Sequence, residues 1–306
     1  MSTYELLISG LAALALFAYG LQSLSREIEE TGGERLKALL SRVTKSPVRG
    51  YLLGIVVTAL IQSSSATSSF VIALVDAGAI TLRGSFAVLL GANVGTTVTA
   101  WLVSFKLAGL GAIFVVLGIA ISMAPRRYAA AGRCVFYFGL ILFALDLVGY
   151  ALKPLQGHPY VQSLVAIAKN PVLGFLIGAF LTAIVQSSSV VVGLGVLFAK
   201  SGILGPAAVV PIVVGANLGS TTTALLACLG MKRNARRAAV ANTIFNGLGV
   251  LAVLPALGPI SEFFAWKISD PGIAVAWAHL AFNILVSVLG FAAMRSIERL
   301  VTRVVS

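Results

Sequence analysis

The chain has 306 residues, of which 58% are hydrophobic and only 10% charged, with a mean hydropathy of +1.00. A soluble domain of this length needs far more charge to solvate its surface, so that class is excluded. The net charge of +12 and pI near 10.2 do not point to nucleic acid either, because the cations stand in short clusters between apolar stretches, as in membrane proteins.

The expected fold class is an all-α polytopic membrane protein. Met1–Glu5 carries no basic n-region, so the first apolar stretch, Tyr4–Leu21, reads as a retained span. Leu24–Lys45 mixes Glu, Arg and Lys with apolar residues and reads as a helix along the cytoplasmic interface. Pro47–Ile61 and Ala66–Ile80 are each about 15 residues and would cover roughly 22 Å, short of the roughly 30 Å hydrocarbon core. Gln62-Ser63-Ser64-Ser65 between them is therefore expected at the tip of a re-entrant helical hairpin. Spans follow at Ser85–Ser104, Ala108–Ala124 and Cys134–Leu152. A second short pair then surrounds Gln186-Ser187-Ser188-Ser189. Pro206–Cys228, Ala238–Leu257 and Gly272–Met294 complete about seven full spans. Cys134 and Cys228 are isolated and imply neither a disulfide framework nor a metal site.

An internal repeat organises these elements. Pro47–Leu102 aligns without a gap on Pro171–Leu226 at an offset of 124, with 20 identities in 56 positions. Thr58-Ala59 recurs as Thr182-Ala183. Gly91-Ala92-Asn93-Val94-Gly95-Thr96-Thr97 recurs as Gly215-Ala216-Asn217-Leu218-Gly219-Ser220-Thr221. Residues 1–125 form the first repeat, 126–258 the second, and 259–306 an outer loop with a final helix. With the N-terminus outside and the C-terminus cytoplasmic, 17 of the 22 Lys and Arg residues face the cytoplasm. The other five, Lys106, Lys153, Lys169, Lys200 and Lys267, fall outside. Three crossings then separate the two hairpins, which enter from opposite faces as an inverted-topology repeat, the usual plan of secondary transporters.

A backbone break inside a membrane is tolerated where it lines a cavity or is buried in protein. At two opposed tips, orphan N–H groups and the positive ends of half-helices would converge with serine hydroxyls and glutamine amides, an anion site. Carbonyls and hydroxyls nearby suit a hard cation such as Na⁺. No Arg or Lys lies deep in any span, so co-bound cations are expected to balance the anion.

The paired Gln-Ser-Ser-Ser tips, the paired Gly-Ala-Asn-x-Gly runs and the later Phe-Asn motifs resemble the type II sodium-dependent phosphate cotransporter family. The resemblance covers the chain from Gly10 to about residue 294. It implies a sodium-coupled symporter for inorganic phosphate, not an enzyme, in a bacterial inner membrane, dimeric with one pathway per protomer. Phosphate would meet Gln62, Ser63, Ser64, Ser65, Gln186, Ser187, Ser188 and Ser189. Sodium would meet Ser65, Thr67, Asn93, Thr96 and Thr97, with Ser189, Asn217, Ser220 and Thr221 in the second half. The chain departs from relatives that carry a His-x-x-Phe-Asn motif within Val103–Met123, which here has none, and Asn242 stands where His is common. His279-Leu280-Ala281-Phe282-Asn283 keeps the full form. Many bacterial relatives append a soluble helical domain that is not seen here by Ser306.

Supporting roles are open to Thr58, Thr182, Asp146, Asn246, His279 and Asn283. Asp146, an acid inside a span, is a candidate for site support or interhelical bonding. His279 reads as an interhelical hydrogen-bonding residue that could also touch an ion or substrate. Asp76 and Lys200, at matching hairpin ends, read as boundary residues meeting water, and His158 as an inert loop residue. The Asn93 and Asn217 runs read as ligand-lining rather than as kinks alone. Three rivals remain. A carrier of another small anion is separated from phosphate only by the resemblance. A membrane hydrolase lacks a base beside its serines, and a passive channel would show continuous polar stripes rather than opposed tips.

Overall fold

The computed structural model describes residues 3–43, 46–105, 109–152 and 159–305; Lys45, Lys106, Lys153 and His158 lie outside them. Helices follow one another as α1 (Thr3–Val43), α2 (Pro47–Ile61), α3 (Ser64–Asp76), α4 (Leu82–Gly95), α5 (Thr97–Ser104), α6 (Leu110–Ser122) and α7 (Arg126–Leu152). Then come α8 (Pro159–Ala168), α9 (Pro171–Val185), α10 (Ser188–Lys200), α11 (Pro206–Gly219), α12 (Thr221–Ala227), α13 (Arg233–Val253), α14 (Leu257–Lys267) and α15 (Pro271–Val304). Local chemistry explains the sharp starts. Asn170 Oδ1 accepts the Val172 and Leu173 N–H groups, and Asp270 Oδ1 those of Gly272 and Ile273, each just before a proline at the first helical position.

The repeat is carried into the elements. The bounds of α2, α3 and α4 recur in α9, α10 and α11 at the sequence offset of 124, and α12 starts at that offset from α5. In each copy the first helix packs chiefly against the third, α2 on α4 and α9 on α11. The Gly-Ala-Asn-x-Gly runs supply the reason. A Cβ at Gly91 would strike the Tyr51 carbonyl, and one at Gly215 the Phe175 carbonyl. Glycine at these places lets two backbones touch, as is usual between membrane helices. The runs therefore have a packing duty besides any ligand duty. At Thr96 and Ser220 the helices are interrupted by one residue that keeps right-handed helical angles, a slight bend rather than a break.

Among the described residues, six helical stretches are long and apolar enough to cross a membrane: Ile8–Arg42, Leu82–Ser104, Tyr128–Ala151, Pro206–Ala227, Arg233–Lys267 and Pro271–Val304. The seventh expected span, Ala108–Ala124, corresponds to α6, whose 13 residues fall below that length. It packs closely on α7, where Gly111 and Gly118 meet the Phe143 and Phe136 backbones. Two other expectations change. No break divides the first span from the interfacial segment; α1 runs 41 residues, about 62 Å. The outer loop expected after residue 258 is largely the helix α14. Large apolar side chains stand exposed on several helices, among them Leu11 at 65%, Phe180 at 66% and Leu251 at 68%. Such a surface is stable against lipid, not water.

Candidate functional site

Each Gln-Ser-Ser-Ser stretch joins two short helices through an unusual backbone. Gln62 (φ 58°) and Gln186 (φ 56°) are the two non-glycine residues with positive φ among the described residues. Helices commonly end in this conformation, but usually on glycine. A glutamine there costs about 1–3 kcal/mol, which marks the side chain as needed. It is in use: each amide Nε2 donates back to a carbonyl of its own helix, Ala59 or Ala183. The Oε1 atoms accept hydroxyls from Thr99 (2.9 Å) and Thr223 (2.7 Å). The glutamines, expected to bind phosphate, thus commit their side chains largely to shaping the tips.

The three serines of each tip divide the work. Ser63 and Ser187 are N-caps, accepting the Ala66 and Val190 N–H groups at 3.2 and 3.4 Å. Ser65 and Ser189 reach across to the other repeat. Ser65 donates toward the Gln186 carbonyl at 3.4 Å, and Ser189 donates to the Gln62 carbonyl at 3.1 Å. Residue i of one repeat meets residue j of the other, and the converse holds, which is the signature of a two-fold relation. Ser64 and Ser188 are buried, and their hydroxyls make no hydrogen bond among the described residues. They stand at the first positions of α3 and α10, where backbone N–H groups lack intrahelical acceptors. Four amides, those of Ser64, Ser65, Ser188 and Ser189, accordingly point from two adjoining helix starts.

Thr99 and Thr223 fall outside the residues expected from sequence. The signal was present, since they are identical across the repeat two positions beyond the motif that was read. Among the sodium candidates, Thr96, Thr97, Ser220 and Thr221 bond back to carbonyls of their own helices at 2.7–3.0 Å, leaving oxygen lone pairs available. Asn93 donates to Asn246 Oδ1 at 3.3 Å, tying α4 to α13, whereas Asn217 donates within α11 to Val213. The repeats also differ at one buried point. Thr58 donates to Thr67 at 3.0 Å, and Thr67 to the Ser63 carbonyl at 3.1 Å. In the second copy Val191 replaces Thr67, and the Thr182 hydroxyl has no protein partner among the described residues.

A cavity of about 310 Å³ opens at the tips, lined by Gln62, Ser63, Gln186 and Ser187. Its remaining wall corrects an expectation. Gln22, Ser25, Arg26 and Glu29 of α1 line it too, so a cationic side chain does reach the cavity. The premise of a site without any arginine or lysine nearby therefore does not hold.

Other candidates lie elsewhere. Asp146 accepts the N–H of Gly109 at 3.0 Å and caps the start of α6. His279 is buried with neither ring nitrogen bonded among the described residues, so the expected interhelical bond is not formed. Asn283 donates to the His279 carbonyl at 2.9 Å and leaves its own Oδ1 unpaired. Asp76 and Lys200 do more than meet water. Lys200 Nζ donates to the Val103 and Ser104 carbonyls at 3.0 and 2.9 Å, capping α5 where the helix dipole is negative. Asp76 accepts the Lys232 N–H at 2.6 Å, where α13 begins.

The sequence profile of the Na⁺/Pi-cotransporter family matches this chain twice, over residues 16–150 and 140–265. The chain belongs to that family. Membership in a transporter family, together with the apolar helices, makes it a multi-pass membrane protein. Among its relatives, the uncharacterized protein YqeW of Bacillus subtilis is 29% identical over 286 residues, 93% of each chain. YjbB of Escherichia coli, provisionally named an inorganic phosphate export protein, is 32% identical over 279 residues, which are 90% of this chain and 51% of YjbB. This chain thus spans nearly all of YqeW but about half of YjbB. Human sodium-dependent phosphate transport protein 2B is 34% identical over 139 residues, 42% of this chain and 20% of that one. No solved structure matches.

Proposed function

We propose that this Na⁺/Pi-cotransporter family member is a sodium-coupled carrier of inorganic phosphate, with one site shared by its two repeats. The observation that carries this reading is the reciprocal contact of the tips. A serine at each helix start is hydrogen-bonded to the glutamine carbonyl of the other tip, and each start offers two amides and one serine hydroxyl with no partner among the described residues. Phosphate fits such donors as an acceptor with several oxygens. Sodium would take the oxygens around them: Ser65, Thr67, Asn93, Thr96 and Thr97 in the first half, Ser189, Asn217, Ser220 and Thr221 in the second. Arg26 is the one cationic side chain lining the cavity among the described residues, and a doubly charged anion leaves room for such a co-ion.

In this reading the short pairs α2–α3 and α9–α10 are re-entrant from opposite faces of a bacterial inner membrane, with the N-terminus outside. The two-fold axis then lies in the membrane plane, and the expected span Ala108–Ala124, of which the short α6 is one part, is counted as the crossing that makes their number odd and inverts the second repeat. The protein works as a dimer with one pathway per protomer. The relatives' names divide between phosphate export and sodium-dependent phosphate transport. A coupled carrier reconciles them, because the gradients set its direction.

The test is phosphate flux in proteoliposomes under an imposed sodium gradient. Flux in sodium should far exceed that in choline, potassium or lithium, and unlabelled phosphate should compete better than sulfate. Equal flux in choline and sodium would remove the coupling.

A further inference from the structure

The cavity at the tips has one wall that belongs to neither serine motif. Arg26 and Glu29 of α1 line it together with Gln22 and Ser25, and the spacing places all four on one helical face. An adjacent face of α1 is locked to α7. Arg133 grips the buried Glu27 carboxylate through Nε–Oε2 and Nη2–Oε1, both at 2.7 Å. A bidentate pair fixes the helix in rotation as well as in position. Arg26 is thereby held at the cavity, exposed, and in no ion pair among the described residues. Glu29 accepts the Ser25 hydroxyl at 3.0 Å.

We infer that Arg26 captures the anion on its way to the serine tips and that Glu29 limits how long it stays. This rests on the phosphate-transport reading above. A guanidinium at the mouth of a low-dielectric cavity concentrates anions there and presents a fork that matches phosphate oxygens. Alone, it would retain a doubly charged anion and slow the cycle. The Glu29 carboxylate, on the same wall, repels that anion and keeps the stop transient, as a conducting path requires. Arg26 is an access residue in this scheme, distinct from the amides and hydroxyls that hold the transported phosphate.

The experiment measures initial phosphate flux from each face of oriented proteoliposomes, for the parent and for Arg26→Gln, Arg26→Lys and Glu29→Gln. Arg26→Gln should raise KM about tenfold from one face only, the cytoplasmic one in the proposed orientation, with the maximal rate nearly unchanged. The parent's KM on that face should rise with ionic strength, and that of Arg26→Gln should not. Arg26→Lys should lie between the two. Glu29→Gln should lower KM and the maximal rate together. In a chain lacking Cys134 and Cys228, Arg26→Cys should recover low KM after reaction with aminoethyl methanethiosulfonate but not with its neutral methyl analogue. That step reads charge on protein already folded and inserted. An unchanged KM from both faces, an equal rise from both, or no recovery by the cationic reagent overturns the proposal. Absence of phosphate flux in the parent would instead sink the transport reading itself.

Discussion

Ser189 of the second repeat donates its hydroxyl to the main-chain carbonyl of Gln62 in the first, at 3.1 Å. The carbonyl belongs to one of the two non-glycine residues with left-handed geometry among the described residues, so each repeat's strained turn is tied by a serine of the other. Neither tip is complete alone.

The division of labour among the serines predicts two kinds of mutant. Ser64→Ala and Ser188→Ala remove hydroxyls that make no hydrogen bond among the described residues, so each should weaken phosphate binding about tenfold or more with little change in thermal midpoint. Ser63→Ala and Ser187→Ala remove helix caps and should cost about 0.5–2 kcal/mol of stability. Calorimetric affinity and thermal denaturation on the four variants separate the classes. If Ser64→Ala and Ser188→Ala bind phosphate as the parent does, the shared site is wrong.

The left-handed glutamines predict a trade. Glycine adopts the Gln186 backbone without strain, so Gln186→Gly should leave the fold intact or slightly firmer. It also removes the partner of the Thr223 hydroxyl, and transport should fall sharply. Thr223→Val, which keeps the glutamine, should reproduce much of that loss. Normal flux in both variants would mean that the glutamine only shapes a turn.

Much of this architecture was legible in the sequence, for a physical reason. Gene-level duplication preserves helix bounds, so the offset of Gln62 from Gln186 placed both tips, and the short lengths around them followed. The role of each serine was not legible. Which one caps and which one is left unbonded depends on the helix starting at the second serine, and that start requires a glutamine in a conformation its own propensity disfavours. The loop expected from residue 259 starts at Pro259, but proline is tolerated in the first turn of a helix, and α14 begins at Leu257. Arg26 escaped for a different reason. Its helix belongs to neither hairpin, and the tertiary packing of α1, on α7 above all, brings it to the tips.

The glycine contacts predict that the repeat cannot tolerate a methyl group where α9 meets α11. Gly215→Ala would press on the Phe175 carbonyl, and overpacking of this kind typically costs on the order of 1–3 kcal/mol. The same change at Gly205, where a Cβ has open space, should be silent. Detergent thermal-stability measurements on both variants decide it; equal midpoints would show that the two helices separate easily.

Sidedness tests the inverted arrangement. In a chain with Cys134 and Cys228 replaced, Arg83→Cys should react with an impermeant thiol reagent from the cytoplasmic side, and Gly205→Cys from outside. Both positions are exposed, and both stand near the starts of equivalent helices, α4 and α11. Lys200 itself is unsuited to the test because it caps α5. Labelling of both cysteines from one side would replace the inverted repeat with a parallel one.

Sodium and phosphate should bind with positive coupling, and thermodynamics requires that coupling to be reciprocal: whatever factor sodium adds to phosphate affinity, phosphate adds to sodium affinity. The tip residues Gln62–Ser65 and Gln186–Ser189 offer amides and hydroxyls but no cation, so in the proposed scheme bound sodium would make a doubly charged anion tolerable there. Arg26 changes the limiting case. Because its guanidinium lines the cavity, the parent should keep weak, salt-sensitive phosphate binding at zero sodium, and Arg26→Gln should lose it. At saturating sodium the two proteins should approach similar affinity, since the tip site then carries the binding. Calorimetric titration of phosphate across a sodium series, with potassium holding ionic strength constant, measures both effects. A parent affinity that does not depend on sodium would mean that protein charge alone balances the anion, and sodium would then have no energetic reason to travel with it.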